Sequence, residues 1–422
     1  MHATVRPPNQ LTSTMTQSTD STATAEDTIE LWTMAAIAFL VFYGNYMVAP
    51  LVPTLSREFR VTPYQLGWLI PGYSIAYGIA TLVYGVLSDL RGRIPVLRIL
   101  LLLASLTTLL VSFATTAREL IIFRILCGVG CGGMATIALA FIGDRYPYSV
   151  QGRPMGKIFG AVAAGMGLGS SLGPILNPLV GWRSEFRTLA CGFVLIAIFL
   201  GLRTQSFVHA NLPFSRCRTI AFEYVSILEA PRGGRTMAFI FFNAVFQGGI
   251  FAWLGLLIVS RYHLGDVGIG IVLIGYGLPD LLFGGIIGGW ADRYGRRYVV
   301  PLGFLWAGVC ALFLVLPISS FLEALVITAL SVGFEATHPA MSSITTSLDP
   351  GYRGQITGLA TFAKFIGLGV GSLLFDRLMH ISFSTALIAF AMFQILVGFA
   401  GLYAFRGEYP AVPVALEQNA RT

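Results

Sequence analysis

Four ionisable side chains stand deep inside long apolar stretches of the second half, and a fifth, Arg124, lies a few residues into a stretch of the first, from where it could also snorkel to the outer surface; they mark where chemistry would be done. Asp280 directly follows Pro279, Glu335 and His338 are three apart, and Lys364 and Arg124 each lie in a stretch of their own. A charged group in such a setting costs roughly 2.5–3.5 kcal/mol at the centre of a membrane helix, so it should face a partner, a cavity or a transport path. Residues three apart share a helical face, so Glu335 and His338 can hold one proton between them. Asp280 and Glu335 are the deep carboxyls, and dehydration favours the protonated form of a carboxyl; both are candidate proton carriers. Lys364 could hold either carboxylate ionised, bind an anionic substrate, or form a static buried pair with Asp280 or Glu335.

Those residues need a scaffold, and composition says which kind. Of the 422 residues, 55% are hydrophobic and 11% charged, and the mean hydropathy is +0.75. Soluble domains are about 25% charged. The apolar surplus must face lipid. An ordinary soluble enzyme, a disordered chain and a disulfide scaffold are poor fits. The 48 glycines suit close helix contact in a bilayer.

A helix crosses the hydrocarbon core with about 20 apolar residues. Twelve such runs are expected, near 32–53, 66–88, 95–115, 119–142, 156–180, 186–203, 236–260, 267–290, 298–318, 322–346, 355–378 and 383–405. They are continuous rather than alternating, which excludes a β-barrel. With the N-terminus inside, the cytoplasmic side holds roughly eighteen basic residues against about seven outside, which places both termini in the cytoplasm. The expected division is a disordered tail over 1–30, a six-helix bundle over 31–203, a linker over 204–235 with a short surface helix, a second bundle over 236–406 and a tail over 407–422.

The net charge of +7 comes from arginines spread singly between apolar runs, not from a basic stripe with interleaved aromatics, so nucleic acid is not an expected partner. Cys127 and Cys131 share a helical face but have no further ligand-type residues beside them, so no metal site is expected. No phosphate loop argues for ATP drive, and no catalytic elbow or zinc motif argues for an enzyme. No cofactor is expected.

The two halves repeat each other. Gly85-Val-Leu-Ser-Asp89-Leu-Arg-Gly92-Arg93 follows the second run, and Gly288-Gly-Trp-Ala-Asp292-Arg293-Tyr-Gly295-Arg296-Arg297 follows the eighth, with the aspartates 203 positions apart. Gly167-Leu-Gly169 and Gly367-Leu-Gly369 match at a spacing of 200, which pairs Lys364 with Ala164. Such repeats are a transporter feature, with the substrate site near the midplane between them.

On these motifs the chain resembles the major facilitator superfamily over about residues 31–406. The resemblance implies an all-α membrane protein of twelve transmembrane helices in two pseudo-symmetric halves, moving a small-molecule substrate by alternating access, usually as a monomer. It implies that the loop motif of Gly85, Asp89 and Arg93, and of Gly288, Asp292, Arg293, Gly295 and Arg296, latches one half against the other; the first copy departs from the pattern at Leu90 and Ile94. Arg124-Ile-Leu-Cys-Gly128-Val-Gly130 is similar to a pattern of the family's proton-linked exporters. Gly165, Gly169, Gly173 and Pro174 resemble its drug–proton antiporter motif, although Asn177-Pro178 stands where Gly-Gly would continue it. Asn45 stands where many of these exporters carry an acid, which moves the expected proton site into the second half.

The expected substrate cavity therefore draws on Asn45, Arg124, Tyr276, Lys364, Asn243 and Gln247, with aromatics around them, and the expected proton site on Glu335, Asp280 and His338. The expectation is proton-coupled efflux of small apolar or amphipathic compounds in the plasma (bacterial inner) membrane. A carrier for a sugar, an organic acid or a siderophore is the alternative, for which Lys364 and His338 speak. A transport-inactive sensor would need a signalling domain, and neither tail nor linker is long enough to fold one.

Overall fold

The structure, a computed structural model, describes residues 13–146, 152–203, 216–277, 279, 293, 295–349 and 353–408. No strand occurs among them. The first span is α1 (Ser13–Tyr46) and α2 (Val48–Glu58), broken at Met47, where Pro50 and Pro53 cannot donate helix bonds. The second and third are α3 (Leu69–Arg91) and α4 (Arg93–Val111). The fourth is split into α5 (Ala117–Cys131) and α6 (Met134–Arg145) at Gly132-Gly133, and Gly133 sits at φ +73. The fifth and sixth are α7 (Gly152–Val180) and α8 (Trp182–Arg203). The short linker helix is α9 (Arg216–Glu229).

The second half repeats this order with α10 (Pro231–Tyr262), α11 (Asp266–Gly277), α12 (Arg296–Phe313), α13 (Ser320–Thr346), α14 (Arg353–Met379) and α15 (Phe383–Ala404). Eleven helices among the described residues are long and apolar enough to cross a membrane, and α11 is a shorter apolar helix. The fold is thus the expected twelve-helix membrane architecture. One expected boundary moves: α1 is already helical at Ser13, within the stretch expected to be disordered. A helix anchored in the bundle supplies its own nucleus, so Ala23, Ala25 and Glu26 can extend it backwards without the initiation penalty.

The backbone confirms the repeat and corrects its register. Gly92 and Gly295 take the same unusual conformation, at φ +90 and +84, and each caps the start of the next span. Elsewhere the contacts align at a spacing of 202, not 200. A β-carbon on Gly165 would stand 2.6 Å from the Phe39 carbonyl, and one on Gly367 would stand 2.5 Å from the Phe241 carbonyl. Gly169 meets the Tyr43 carbonyl as Gly371 meets that of Val245. Lys364 therefore corresponds to Val162 rather than Ala164, and Asn45 corresponds to Gln247. The shorter spacing looked right because glycines recur two apart on both helices, so a slip of two residues still matches glycine to glycine.

These glycines bring α7 onto α1 and α14 onto α10 at backbone distance, which is how membrane helices associate without a hydrophobic driving force between them. Other faces join the halves. Gly167 of α7 meets Gly277 of α11, and Gly369 of α14 meets Ile75 and Pro71 of α3. At the end of the bundle away from the termini the two halves are sealed. Asp266 accepts a hydrogen bond from Thr54 and one from Asn177 Nδ2 at 2.6 Å, with Arg57 3.6 Å away. Tyr64 stacks on His380 at 4.4 Å, and Gly255 packs on Pro50.

Candidate substrate and proton-coupling site

Lys364 Nζ lies 2.7 Å from His338 Nε2, joining α14 to α13 in the middle of the second half. An ammonium has three donors and no acceptor, so the imidazole must accept through Nε2 and is neutral in this arrangement. A proton added to that nitrogen would break the bond and set two cations side by side. Pro339 follows His338 inside α13 and cannot donate to the carbonyl four residues earlier, which loosens the helix next to the pair.

An aromatic seam starts beside Lys364. Phe365 stacks on Tyr77 at 3.9 Å and lies 6.2 Å from Phe42. Tyr46 lies 4.8 Å from Phe251, which lies 4.6 Å from Tyr276. Six rings from both halves thus close the centre of the molecule. Offset and tilted ring pairs add about 0.5–1.5 kcal/mol each beyond the area they bury, which holds the closure while leaving it reversible.

Polar side chains form a second layer. Gln394 Nε2 donates to Asn243 Oδ1 at 2.9 Å, and Asn243 Nδ2 reaches Thr337 Oγ1 at 3.4 Å, next to His338 in sequence. Gln247 Nε2 donates to the Tyr276 hydroxyl at 3.1 Å. Asn45, the repeat counterpart of Gln247, is buried on the first span. The structure therefore pairs His338 with Lys364 and Gln247 with Tyr276, and ties Asn243 to Thr337 and Gln394. Asp280, Gly288, Asp292 and the Glu335 side chain lie outside the described residues.

Arg124 is elsewhere. It is 1% exposed inside the first half, its guanidinium 4.1 Å over the Tyr73 ring and 3.4 Å from the Gly44 carbonyl. It lines a small cavity of that half with Leu40, Thr108, Cys127, Phe186 and Leu189. Its Nε and Nη2 have no hydrogen-bond partner among the described residues. Gly128 makes the position possible, since a β-carbon there would stand 2.3 Å from the Tyr73 carbonyl. Likewise Gly173, with Gly169, seats α7 against the first span, and Pro174 leaves α7 short of one internal bond.

In the first loop motif Asp89 pairs with Arg93, which also reaches Ser88 Oγ at 2.7 Å and Asp144 at 3.0 Å. This ion pair stays within one half. The link towards the other half runs through α9. Its Tyr224 hydroxyl sits 3.6 Å from where Gly358 would carry a β-carbon, and burial, then the Asp89 and Glu223 charges, push it up to about 12. A β-carbon on Gly85 would meet nothing. Arg293 is exposed and Arg296 half-buried at the start of α12.

Sequence reasoning missed Gln394, Thr337, Asp266 and Glu185. The first two are uncharged and gave no signal among apolar neighbours. Asp266 reads as a loop acid. Glu185 sits between Arg183 and Arg187 and reads as a helix flank, although its spacing from Leu189 and Phe193 puts it on an inward face.

Comparison with known proteins agrees with this fold. The model of the Major Facilitator Superfamily matches residues 34–371 and 236–421. The MFS-type transporter YceJ of Bacillus subtilis is 26% identical over 354 residues, 81% of this chain and 87% of the relative. The bacillibactin exporter of the same organism is 31% identical over 118 residues, 27% of this chain and 29% of its own. A bacterial homologue of the human lysosomal transporter Spinster, solved in an inward-facing and occupied conformation, superposes with a TM-score of 0.73 at 15% identity, covering 92% of this chain and 99% of the other.

Proposed function

The chain belongs to the major facilitator superfamily, transporters of small molecules across a bilayer rather than enzymes, and on that basis we propose that it is a proton-coupled exporter of small apolar or amphipathic compounds. The observation that carries this reading is the 2.7 Å contact of Lys364 with His338 beside a seam of rings contributed by both halves. A proton arriving at His338 would repel Lys364 from its acceptor. Lys364 adjoins Phe365 in the seam, so the same event loosens the wall that a substrate must part. Glu335, one helical turn from His338, and Asp280 are the carboxyls that would pass the proton on. Asn243, Gln247 and Tyr276 would orient the substrate's polar atoms.

The same reading assigns residues 31–203 and 236–406 to the two rocking halves and 204–235 to the linker between them. It places both termini in the cytoplasm of a plasma (bacterial inner) membrane and takes the monomer as the working unit. The sealed end then faces outward and the substrate path opens inward. The loop motif around Asp89 and Asp292 would latch the cytoplasmic ends in the opposite state, and the glycine helix of Gly169, Gly173 and Pro174 would serve as a pivot against the first span.

The test is growth of an efflux-deficient bacterial host on a panel of toxic compounds, with the intact protein, Asp280→Asn, Glu335→Gln and His338→Ala at matched membrane levels. Protection against several unrelated compounds, lost in one of these variants, supports the reading. A well-expressed intact protein that protects against none of them overturns it.

A second reading rests on a separate feature. Lys364 and His338 are adjacent nitrogen donors once the ring is protonated, and they would suit a carboxylate substrate. A carrier of an organic anion would lose its one substrate on Lys364→Met, whereas an exporter of mixed compounds would shift its preference.

A further inference from the structure

Glu185 is the outlying titratable group of the first half. It lies one turn into α8, is 6% exposed, and neither carboxyl oxygen has a hydrogen-bond partner among the described residues. Its place is fixed by the turns around it. Trp182 starts the helix with its amide donating to Asn177 Oδ1 at 2.8 Å. Leu189, four residues on from Glu185 and on the same face, packs 3.1 Å from where Gly44 would carry a β-carbon, and Gly192 lies against Leu40. Phe186 and Leu189 also wall the small cavity that holds Arg124.

The charged and titratable groups on the packed elements are few. From α1, Tyr43 is within electrostatic reach of Glu185. From α5, Arg124 lies on the cavity with two unsatisfied nitrogens, beside Cys127 and Cys131, and Tyr73 of α3 lies under its guanidinium. On the flank, Glu58 is tied to Arg183 and to Trp182 Nε1, and Arg187 sits over Phe113. From α4, Arg98 is bonded to backbone carbonyls at the far end of α8. None of these is hydrogen-bonded to Glu185 in the described contacts.

We propose that Glu185 is a proton-binding site of the first half, loaded in the conformation seen here and emptied when water reaches the Arg124 cavity. It extends the proton-coupled reading to a second half-molecule site and rests on that reading for its role in transport. An ionised carboxylate with no hydrogen bond in a dry interior is prohibitively unstable, so the group keeps its proton while the cavity is closed. When the cavity hydrates, the O–H bond breaks heterolytically, the proton passes to water, and Arg124, which lines that cavity, is the cation to which the carboxylate left behind would turn. The two unsatisfied groups then need each other. Loading and unloading thus couple to the volume of that cavity.

The experiment is infrared spectroscopy of the full-length protein in lipid, titrated from neutral to alkaline pH, with Glu185→Gln, Glu185→Asp, Arg124→Met, Asp280→Asn and Glu335→Gln. The expected result is a carbonyl band of a protonated, weakly bonded carboxyl that vanishes in Glu185→Gln, shifts in Glu185→Asp and survives in Asp280→Asn and Glu335→Gln. In Arg124→Met that band should persist to more alkaline pH, because the cation that favours the carboxylate is gone. A spectrum unchanged by Glu185→Gln and Glu185→Asp would overturn the proposal, as would a titration that Arg124→Met does not move. No substrate enters this measurement, so a failure of proton-coupled export would show in the growth test and leave this titration untouched.

Discussion

Gly167 and Gly277 meet backbone to backbone across the two halves: a β-carbon on Gly277 would stand 2.0 Å from the Gly167 Cα. Nothing flexible is available to move aside. Gly277→Leu should therefore drive the protein out of this conformation. Overpacking costs typically about 1–3 kcal/mol, enough for a shift of about fivefold to a hundredfold in population. Spin labels at Trp68→Cys and Ile381→Cys, both exposed towards the sealed end, should move apart in the Gly277→Leu background. An unchanged distance distribution would show that this contact does not set the closed state.

Asp266 predicts a gate. It comes from the second half and is held by Thr54 and Asn177 of the first. Hydrogen bonds to a charged group are worth about 1.5–3 kcal/mol, so Asp266→Ala or Asn177→Ala should favour opening at that end. A cysteine replacing Ile175, which packs against Gly270 at the seal, should be alkylated about tenfold faster in either background. Asn177 also receives the Trp182 amide, so Asn177→Ala should additionally lower thermal stability, and Asp266→Ala should do so less.

The two glycines that start α4 and α12 predict a matched pair of losses. Their φ of +90 and +84 is strained for any side chain, at about 1–3 kcal/mol. Gly92→Ala and Gly295→Ala should each lower the melting temperature in detergent. Gly85→Ala, in the same motif but with open space around it, should not. Equal melting for all three would mean the motif's glycines answer to something other than backbone shape.

Much of this was legible in the sequence, and the parts that were not have physical reasons. Twelve apolar runs and the repeated loop motif gave the fold because bilayer thickness and charge asymmetry leave few alternatives. The Lys364–His338 pair was half legible: both residues stood out as ionisable, but nothing in sequence said that α13 and α14 bring them into contact. Arg124 was placed with the cavity between halves and instead lies within the first half, because a helix face cannot be oriented from one charged residue when every face is apolar. The true repeat register was hidden by glycines recurring at two-residue intervals. Asp266 and Glu185 were hidden by their position near helix ends, where acids are ordinarily solvated.

Outside the membrane, Glu408 predicts a pH dependence. Arg232 donates two hydrogen bonds to it, at 2.9 and 2.8 Å, and Arg235 one at 2.6 Å. The bonds from Arg232, chiefly, hold its carboxyl below the usual carboxylate range. A lowered value means stability that is present above the unfolded-state value and lost as pH falls through the folded one. Glu408→Gln should thus destabilise the protein by about 1–3 kcal/mol at neutral pH, and the gap to wild type should close on acidification. A gap that stays constant down to acidic pH would show that the arginines contribute packing rather than charge.

Proton flux is the most direct test of the proposed export driven by proton movement through the Lys364–His338 pair. In acid-loaded proteoliposomes, ethidium added outside should be taken up with measurable proton release. His338→Ala and Lys364→Met should abolish both at equal protein incorporation. Ethidium uptake without proton movement, or proton release undiminished in both variants, would contradict the account.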